Sequence, residues 1–431
     1  MSSEITIRSI PTEVLCDIFH LLCNGPIVLN DLKNESHFHE FPWAVGQVCR
    51  HWRGEFLSYT PLWTSFALRP GTSFSTAYFV EMSQRATIYL ERSGQQPLTV
   101  VVSMQCLSAQ RFSTPVWELL LSCLKRWKKA DLVLDHGALG KFLRCTGHMS
   151  ILESLKISMW ADYMSALEDT NAFGVAPCLT ELDLAIPKYT AWQFPWAQLT
   201  RLTIDTSYQD VNSYSDDLWG VLLQLKNIEE LHIITIICLP KHPPSLPGII
   251  CFPVLRFLEI SLAYVKLFSR FTAPLLEYLH IHGHTISLED DIDIYDDQRE
   301  LTPFIQRSSC HIRRLAFDNC PLGEMRGIMK ALASVEELSI KNPRSLAIIQ
   351  DITGCTYLPK LRALEVECDS SGNKMLEQAA REVSRLLEAR SRRGSSLASP
   401  GVVPLEIVVW FTWQGAQYGG QPWFAQVYIN N

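Results

Sequence analysis

The chain has 431 residues, 47% of them apolar and 19% charged, and carries a net charge of −7 at pH 7. That is the composition of a folded chain with ample core material, and it excludes the basic profile of a general nucleic-acid binder. No apolar run reaches the roughly 18 residues of a membrane helix. No basic-then-apolar leader precedes the first helix, and the 13 cysteines are scattered without a C-x-x-C pair. Reduced thiols in the cytosol or nucleus are therefore expected.

In chain order, the first element is IPTEVLCDIFHLL. Ile10, Val14, Leu15, Ile18, Phe19 and Leu22 fall on one face of an α-helix. Pro11 occupies a position where a first-turn proline is tolerated, and Glu13 suits the positive helix start. After a polar loop from Asn24 to Glu40, PWAVGQVCRHWRGEFL predicts a second helix with Val45, Val48, Cys49, Trp52 and Phe56 on one face. TPLW then brings Leu62 and Trp63 after Pro61. The segment from about Ser75 to Gly94 predicts a further helix joining this block to the rest of the chain.

From about Ser150 the pattern L-x-x-L-x-Φ, with Φ apolar, occurs nine times. Its central leucines are Leu155, Leu182, Leu202, Leu231, Leu258, Leu279, Leu315, Leu338 and Leu364. The gaps between them are 27, 20, 29, 27, 21, 36, 23 and 26 residues. Leucine-rich repeats run about 20–29 residues with one short strand each, and all gaps but one fit. PLTVVVS at Pro97 and ADLVLDH at Ala130 read as degenerate units. One unit cannot bury its apolar side alone, so the units are expected to stack into a curved parallel sheet with helices and loops on the convex side. The fold class is therefore α/β: a small N-terminal helical domain followed by an irregular leucine-rich-repeat solenoid.

Residues 373–431 are expected to cap the array. Met375 to Arg393 is amphipathic, with Leu376, Ala380, Val383 and Leu387 on one face. A Gly/Ser/Pro stretch comes next, then LEIVVWF as a last strand and a tail holding Trp413, Tyr418, Trp423, Phe424 and Tyr428. The boundaries expected are 5–68 for the N-terminal domain, 69–96 for the helical joint and 97–372 for the repeats.

The N-terminal segments together resemble an F-box. The resemblance rests on Ile10, Pro11, Glu13, Val14, Leu15, Ile18 and Phe19; on Val48, Cys49, Arg50, Trp52 and Arg53; and on Pro61, Leu62 and Trp63. Ile10 stands where leucine is usual, and the Asn24–Glu40 loop is longer than in a compact F-box. With repeats downstream, the chain looks like the F-box/leucine-rich-repeat proteins of basidiomycete fungi. The resemblance implies a non-catalytic substrate-recognition subunit of a Skp–cullin–F-box ubiquitin ligase. Ile10, Pro11, Val14, Leu15, Ile18, Phe19, Val48, Trp52, Leu62 and Trp63 would then bind the Skp adaptor, and through it a cullin–RING ligase. The alternative is a repeat scaffold that binds a partner without any ligase.

Outward strand residues of such repeats line the concave face, the usual binding surface. Here they include Lys156, Glu181, Asp183, Arg201, Asp205, Glu230, His232, Glu259, Tyr278, His280, His282, Arg314, Asp318, Glu337, Lys341, Glu365 and Glu367. The substrate-selecting set is taken as Asp183, Asp205, His232, Glu259, His280, His282, Asp318, Lys341 and Glu365. Carboxylates outnumber Lys and Arg, so a basic protein partner would be steered toward this face; the alternative is a solvated face whose charges serve solubility. The long gap holds SLEDDIDIYDDQREL, an acidic stretch from Glu289 to Glu300 expected to be an extruded loop.

The sequence offers no enzyme signature. HIHGH puts His280 and His282 on one side of a strand, but no Cys or carboxylate spacing completes a metal site, and recognition histidines are the expected reading. DDIDIYDD lacks the glycine and glutamate of a calcium loop. No G-x-S-x-G elbow, Walker loop or G-x-G-x-x-G fingerprint occurs. KRWKK at Lys125 is expected to be an exposed turn with Trp127 packed inward. No cofactor, membrane or nucleic-acid partner is implied.

Overall fold

The computed structural model describes residues 10–22, 26–28, 43–68, 76–103, 115–145, 149–159, 173–185, 192–205, 215–234, 248–283, 301–320, 329, 331–341, 358–369, 385, 406–412 and 427–429. The chain is mixed α/β, with mostly parallel strands added in chain order. It divides into two compact units, residues 1–199 and 200–431. The division falls just before the strand that carries Leu202.

The first unit begins with α1 (Thr12–Leu22) and the short strand β1 (Ile27–Val28). Next come α2 (Arg50–Ser58), β2 (Ser65–Leu68), α3 (Thr76–Arg92) and β3 (Leu98–Ser103). The unit continues with α4 (Pro115–Ser122), β4 (Trp127–Leu134), α5 (His136–Leu143), β5 (Ser154–Met159) and β6 (Glu181–Ala185). β1 to β6 pair in parallel, each with the next.

The expected second helix over 42–57 is broken. Trp43–Gln47 forms a 3-10 turn, and α2 starts only after Cys49, whose backbone is extended at φ −160°. The Cys49 sulfur caps α2 by accepting from the Trp52 amide at 3.5 Å. TPLW is likewise a 3-10 turn, with proline at its start. β2 comes directly after it and pairs with β3, so the sheet already begins inside the stretch assigned to the small helical domain. The helix expected from about Ser75 to Gly94 is present as α3.

An aromatic chain ties these helices to the sheet. Phe19 meets Phe56 at 6.0 Å between ring centroids, Phe56 meets Trp63 at 5.2 Å, and Trp63 meets Tyr89 of α3 at 4.9 Å. The Arg92 guanidinium stands 4.5 Å over the Trp63 ring, a cation–π contact that holds the end of α3. Phe19, Phe56 and Trp63 are essentially fully buried.

The second unit contains β7 (Arg201–Asp205), α6 (Ser215–Leu222), β8 (Glu230–Ile234), β9 (Ile250–Cys251), β10 (Phe257–Ser261), β11 (Phe271–Thr272) and β12 (Tyr278–His282). After these come α7 (Leu301–Ser308), β13 (Arg314–Asp318), β14 (Glu337–Lys341), β15 (Ala363–Asp369), β16 (Glu406–Thr412) and β17 (Val427–Ile429). β7, β8, β10, β12, β13, β14, β15 and β16 are parallel neighbours in that order, and β17 closes the edge antiparallel. β9 and β11 pair separately.

All nine repeat copies lie on strands, as do both degenerate units and LEIVVWF. The central leucines align across the second unit: Leu202, Leu231, Leu258, Leu279, Leu315, Leu338 and Leu364. Beside them run Ile204, Ile233, Ile260, Ile281, Phe317, Ile340 and Val366. Every member of both rows is essentially inaccessible to solvent. Burial of this kind stabilises by about 25 cal/mol per Å² of apolar surface.

A recurring backbone joint fixes the register. The amides of Arg256 and Phe257 both donate to the Glu229 carbonyl, those of Glu277 and Tyr278 to Arg256, and those of Arg313 and Arg314 to Glu277. The same joint appears in the first unit, where Thr180 and Glu181 donate to Glu153. A slip of one residue would turn each leucine to the polar face, so this joint matters.

Trp127 is buried, as expected, but KRWKK is not one turn: Lys125 and Arg126 lie in a 3-10 turn and Trp127–Lys129 already belong to β4, where Lys128 pairs with Glu153 at 3.4 Å. The acidic stretch 289–300, the amphipathic segment 375–393 apart from Arg385, and most of the aromatic tail lie outside the described residues, as does the greater part of the 24–40 loop. Among the described residues no helix is long and apolar enough to cross a membrane.

Candidate functional site

Strand residues alternate between sheet faces. In the second unit the residue after each central leucine therefore stands on the polar face, and parallel register sets these residues side by side. Thr203, His232, Glu259, His280, Ala316, Ser339 and Glu365 form one such row. One rung along, His282 lies between Ser261 and Asp318, and Asp318 faces Lys341.

The centre of this face is Glu259. Its Oε2 contacts His232 Nδ1 and its Oε1 contacts His282 Nε2. His280 Nδ1 stands 3.4 Å from the same Oε1. The second nitrogen of His282, Nδ1, is 3.6 Å from Asp318 Oδ2. The His280 and His282 rings lie 4.0 Å apart, and Tyr278 stacks on His280 at 6.4 Å. Tyr278 in turn meets Phe257 edge-on at 4.6 Å, and Phe257 packs against the His232 ring at 4.8 Å.

Burial shapes the charges here. It pushes the Glu259 carboxyl up, but hydrogen bonds and positive charge from His232 and His282 outweigh this and hold it well below the usual carboxylate range. Burial, reinforced by the nearby His282, pushes His280 down to about 4. His282 goes the other way: burial opposes its charge, yet the Asp318 and Glu259 carboxylates raise it to about 9. At neutral pH the cluster thus holds a carboxylate, a neutral His280 and a protonated His282.

The remaining expected substrate contacts fall into cross-strand pairs. Asp183, in the first unit, pairs with Lys156 at 3.2 Å. Lys341 pairs with Glu367 at 3.2 Å, which raises its pKa. Glu365 accepts from the Ser339 hydroxyl at 2.8 Å. Asp205 is half-buried at the end of β7. Arg201–Glu230 and Arg314–Glu337 are further pairs, at 3.4 and 2.8 Å. The carboxylate excess expected from the sequence is therefore largely matched by cations and imidazoles on adjacent strands. A cleft of about 300 Å³ opens at the N-terminal ends of these strands, where Glu230, Phe257, Tyr278 and Arg314 form part of the wall.

From the sequence alone, no third donor was apparent beside His280 and His282. Register supplies it: Glu259 sits directly across from His280. Superimposing the repeats on their central leucines would have revealed the match, because Glu259 and His280 each come immediately after one.

Neither a family model nor a curated protein sequence matches the chain.

The residues expected to bind an adaptor divide in two. Leu15, Phe19, Leu62 and Trp63 are at most 4% exposed and form the first unit's own core. They present no surface, because Phe56 and Tyr89 occupy the space beside their aromatic members. Val14 and Val48 are 46% and 47% exposed, Pro11 is exposed, and Ile10, Ile18 and Trp52 are half-buried. Leu21 and Leu22, at 71% and 50%, extend the open edge. Leu21 was missed as a surface candidate, although it lies seven residues after Val14 and so shares its face.

Proposed function

We propose that the chain is a substrate receptor of a Skp–cullin–F-box ubiquitin ligase. On this reading the N-terminal helices are an F-box and the parallel sheet is a leucine-rich-repeat solenoid. The observation that carries the reading is the two-sided first helix. Its inner edge, Leu15 and Phe19, is core, whereas its outer edge, Val14, Leu21 and Leu22, is open apolar surface. A helix that served only as a cap on the sheet would need no such second face. The V-C-R-x-W-R and P-L-W segments pack against this helix, and on this reading they are the other two parts of the F-box.

The receptor supplies proximity and orientation, not covalent chemistry. Trp63, gripped between Phe56, Tyr89 and Arg92, makes a stiff joint between the adaptor-binding helices and the sheet. The polar strand face around Glu259 is the substrate-docking surface, and the working compartment is the cytosol or nucleus.

The test is capture of the Skp adaptor by the full-length protein, and by a Val14→Asp/Leu22→Asp double variant. Both positions are exposed, so the circular dichroism spectrum should be unchanged while adaptor capture is lost. Full capture by the variant would overturn the interface. Failure of the unaltered protein to capture the adaptor would favour the repeat scaffold that acts without a ligase.

A further inference from the structure

We propose that Glu259, His280 and His282 form a binding site for a divalent transition metal of the zinc class, on the polar face of the second unit. This inference goes beyond the ligase reading and does not depend on it.

The donors converge from two adjacent strands. Glu259 Oε1, His280 and His282 each offer one ligand atom, and all three lie within 4.8 Å of one another. A tetrahedral zinc ion with bonds near 2.0–2.1 Å needs ligand atoms roughly 3.3 Å apart. The 3.4 Å between Glu259 Oε1 and His280 Nδ1 meets that spacing. His282 Nε2 already faces the same oxygen; to admit the ion it moves back slightly and gives up its proton to solvent, so uptake should release a proton.

A second observation points to a ligand. His280 Nε2 is buried and, among the described residues, has no hydrogen-bond partner. Buried polar atoms are nearly always satisfied, and an orphaned one calls for an explanation. With no bond from the described residues fixing its Nε2, the His280 ring is free to present an unprotonated Nδ1 beside Glu259 Oε1.

The surroundings have the form of an outer metal shell. Ligating histidines usually direct their second nitrogen at a carboxylate, which fixes the ring and raises its basicity. Asp318 stands in that relation to His282 Nδ1. His232 holds the other oxygen of Glu259 and so sets the carboxylate's orientation. Lys341, across from Asp318, has its ammonium on Glu367 at 3.2 Å. Two imidazoles and one carboxylate suit zinc, nickel or cobalt rather than calcium or magnesium. Three protein ligands would leave one position for water or a group on a docked partner.

The experiment is titration of Zn²⁺ alone into chelator-treated, full-length protein, with X-ray absorption then recorded at the zinc edge. One equivalent should bind, with two imidazole nitrogens and oxygen around the metal and no sulfur. His280→Ala/His282→Ala should lose that equivalent. His232→Ala, a positioning change, should weaken it roughly tenfold. Absence of uptake, or uptake undiminished in the double variant, overturns the site. Because the chain has 13 cysteines, the absorption spectrum of the unaltered protein is an independent check: sulfur ligands would place the metal elsewhere and overturn the proposal without any variant.

Discussion

Phe19 of α1 stands edge-on to Trp52 of α2, with the ring centroids 5.7 Å apart and the planes at 68°. Phe19 is fully buried, whereas Val14, five residues earlier, is 46% exposed. One helix therefore has a buried edge and an open one. Phe19→Ala removes a buried ring and two edge contacts, and should destabilise the first unit by about 3–5 kcal/mol. Val14→Asp should change stability by less than about 0.5 kcal/mol. Urea denaturation monitored by tryptophan fluorescence checks both values. Similar losses for the two variants would mean that Val14 is not the open edge of this helix.

Gly283 directly follows β12, at a point where two backbones nearly touch. A Cβ there would come within 2.2 Å of the Asn319 carbonyl oxygen and 2.6 Å of its carbon. The contact is drawn tight because the Gly283 amide donates to the Asp318 carbonyl at 2.7 Å. Asn319 itself has φ 52°, in the left-handed region. Gly283→Ala must push the strand end away from the next repeat, at a cost of about 1–3 kcal/mol. A control at Gly54, where nothing lies within 4 Å of a Cβ, should not be destabilised. Gly lowers helix stability relative to Ala, so Gly54→Ala should stabilise slightly. Chemical denaturation of the two variants decides the matter.

The range of the forces involved decides which features were legible in the sequence. The leucine rows were readable because period-2 burial and repeat spacing are both written locally, from Leu155 to Leu364. The break before α2 was not. Val45 and Val48 continue the apolar pattern of Trp52 and Phe56, and nothing in that pattern shows that Cys49 would cap a new helix. The strand at Ser65–Leu68 was hidden because its partner, β3, lies more than thirty residues on. The cluster around Glu259 was half-legible. His280 and His282 announce themselves as a pair, but His232 and Glu259 join them only through register across three strands. The burial of Leu15, Phe19, Leu62 and Trp63 depends on contacts among four separate elements, and helical spacing alone does not say which apolar edge turns inward.

Thiol reactivity offers a test of the core assignment. Burial raises the Cys310 thiol to about 11, and Cys320 is also buried, with its sulfur close to the Ile281 carbonyl. Cys178 and Cys251 are exposed. The thiolate is the reactive form, so alkylation at neutral pH should modify Cys178 and Cys251 while sparing Cys310 and Cys320. All four should react after unfolding in urea. Peptide mapping by mass spectrometry gives the order, and early labelling of Cys310 would contradict its place in the core.

Two arginines of the second unit predict opposite outcomes from similar-looking contacts. Arg314 pairs with Glu337 at 2.8 Å, but the side chains are 61% and 49% exposed. Water screens such a pair, and Arg314→Ala should cost less than about 1 kcal/mol. Arg307, on α7, instead donates to main-chain carbonyls: its Nη2 reaches Phe268 at 2.5 Å and Phe271 at 3.0 Å, and its Nε reaches Phe271 at 3.3 Å. These bonds join α7 to a segment nearly forty residues earlier in the chain. Phe268 and Phe271 are buried, so water cannot readily replace the guanidinium. Arg307→Ala should therefore cost about 1.5–3 kcal/mol. Thermal unfolding of the two variants separates the cases, and equal shifts in Tm would show that the main-chain anchor is worth no more than the exposed ion pair.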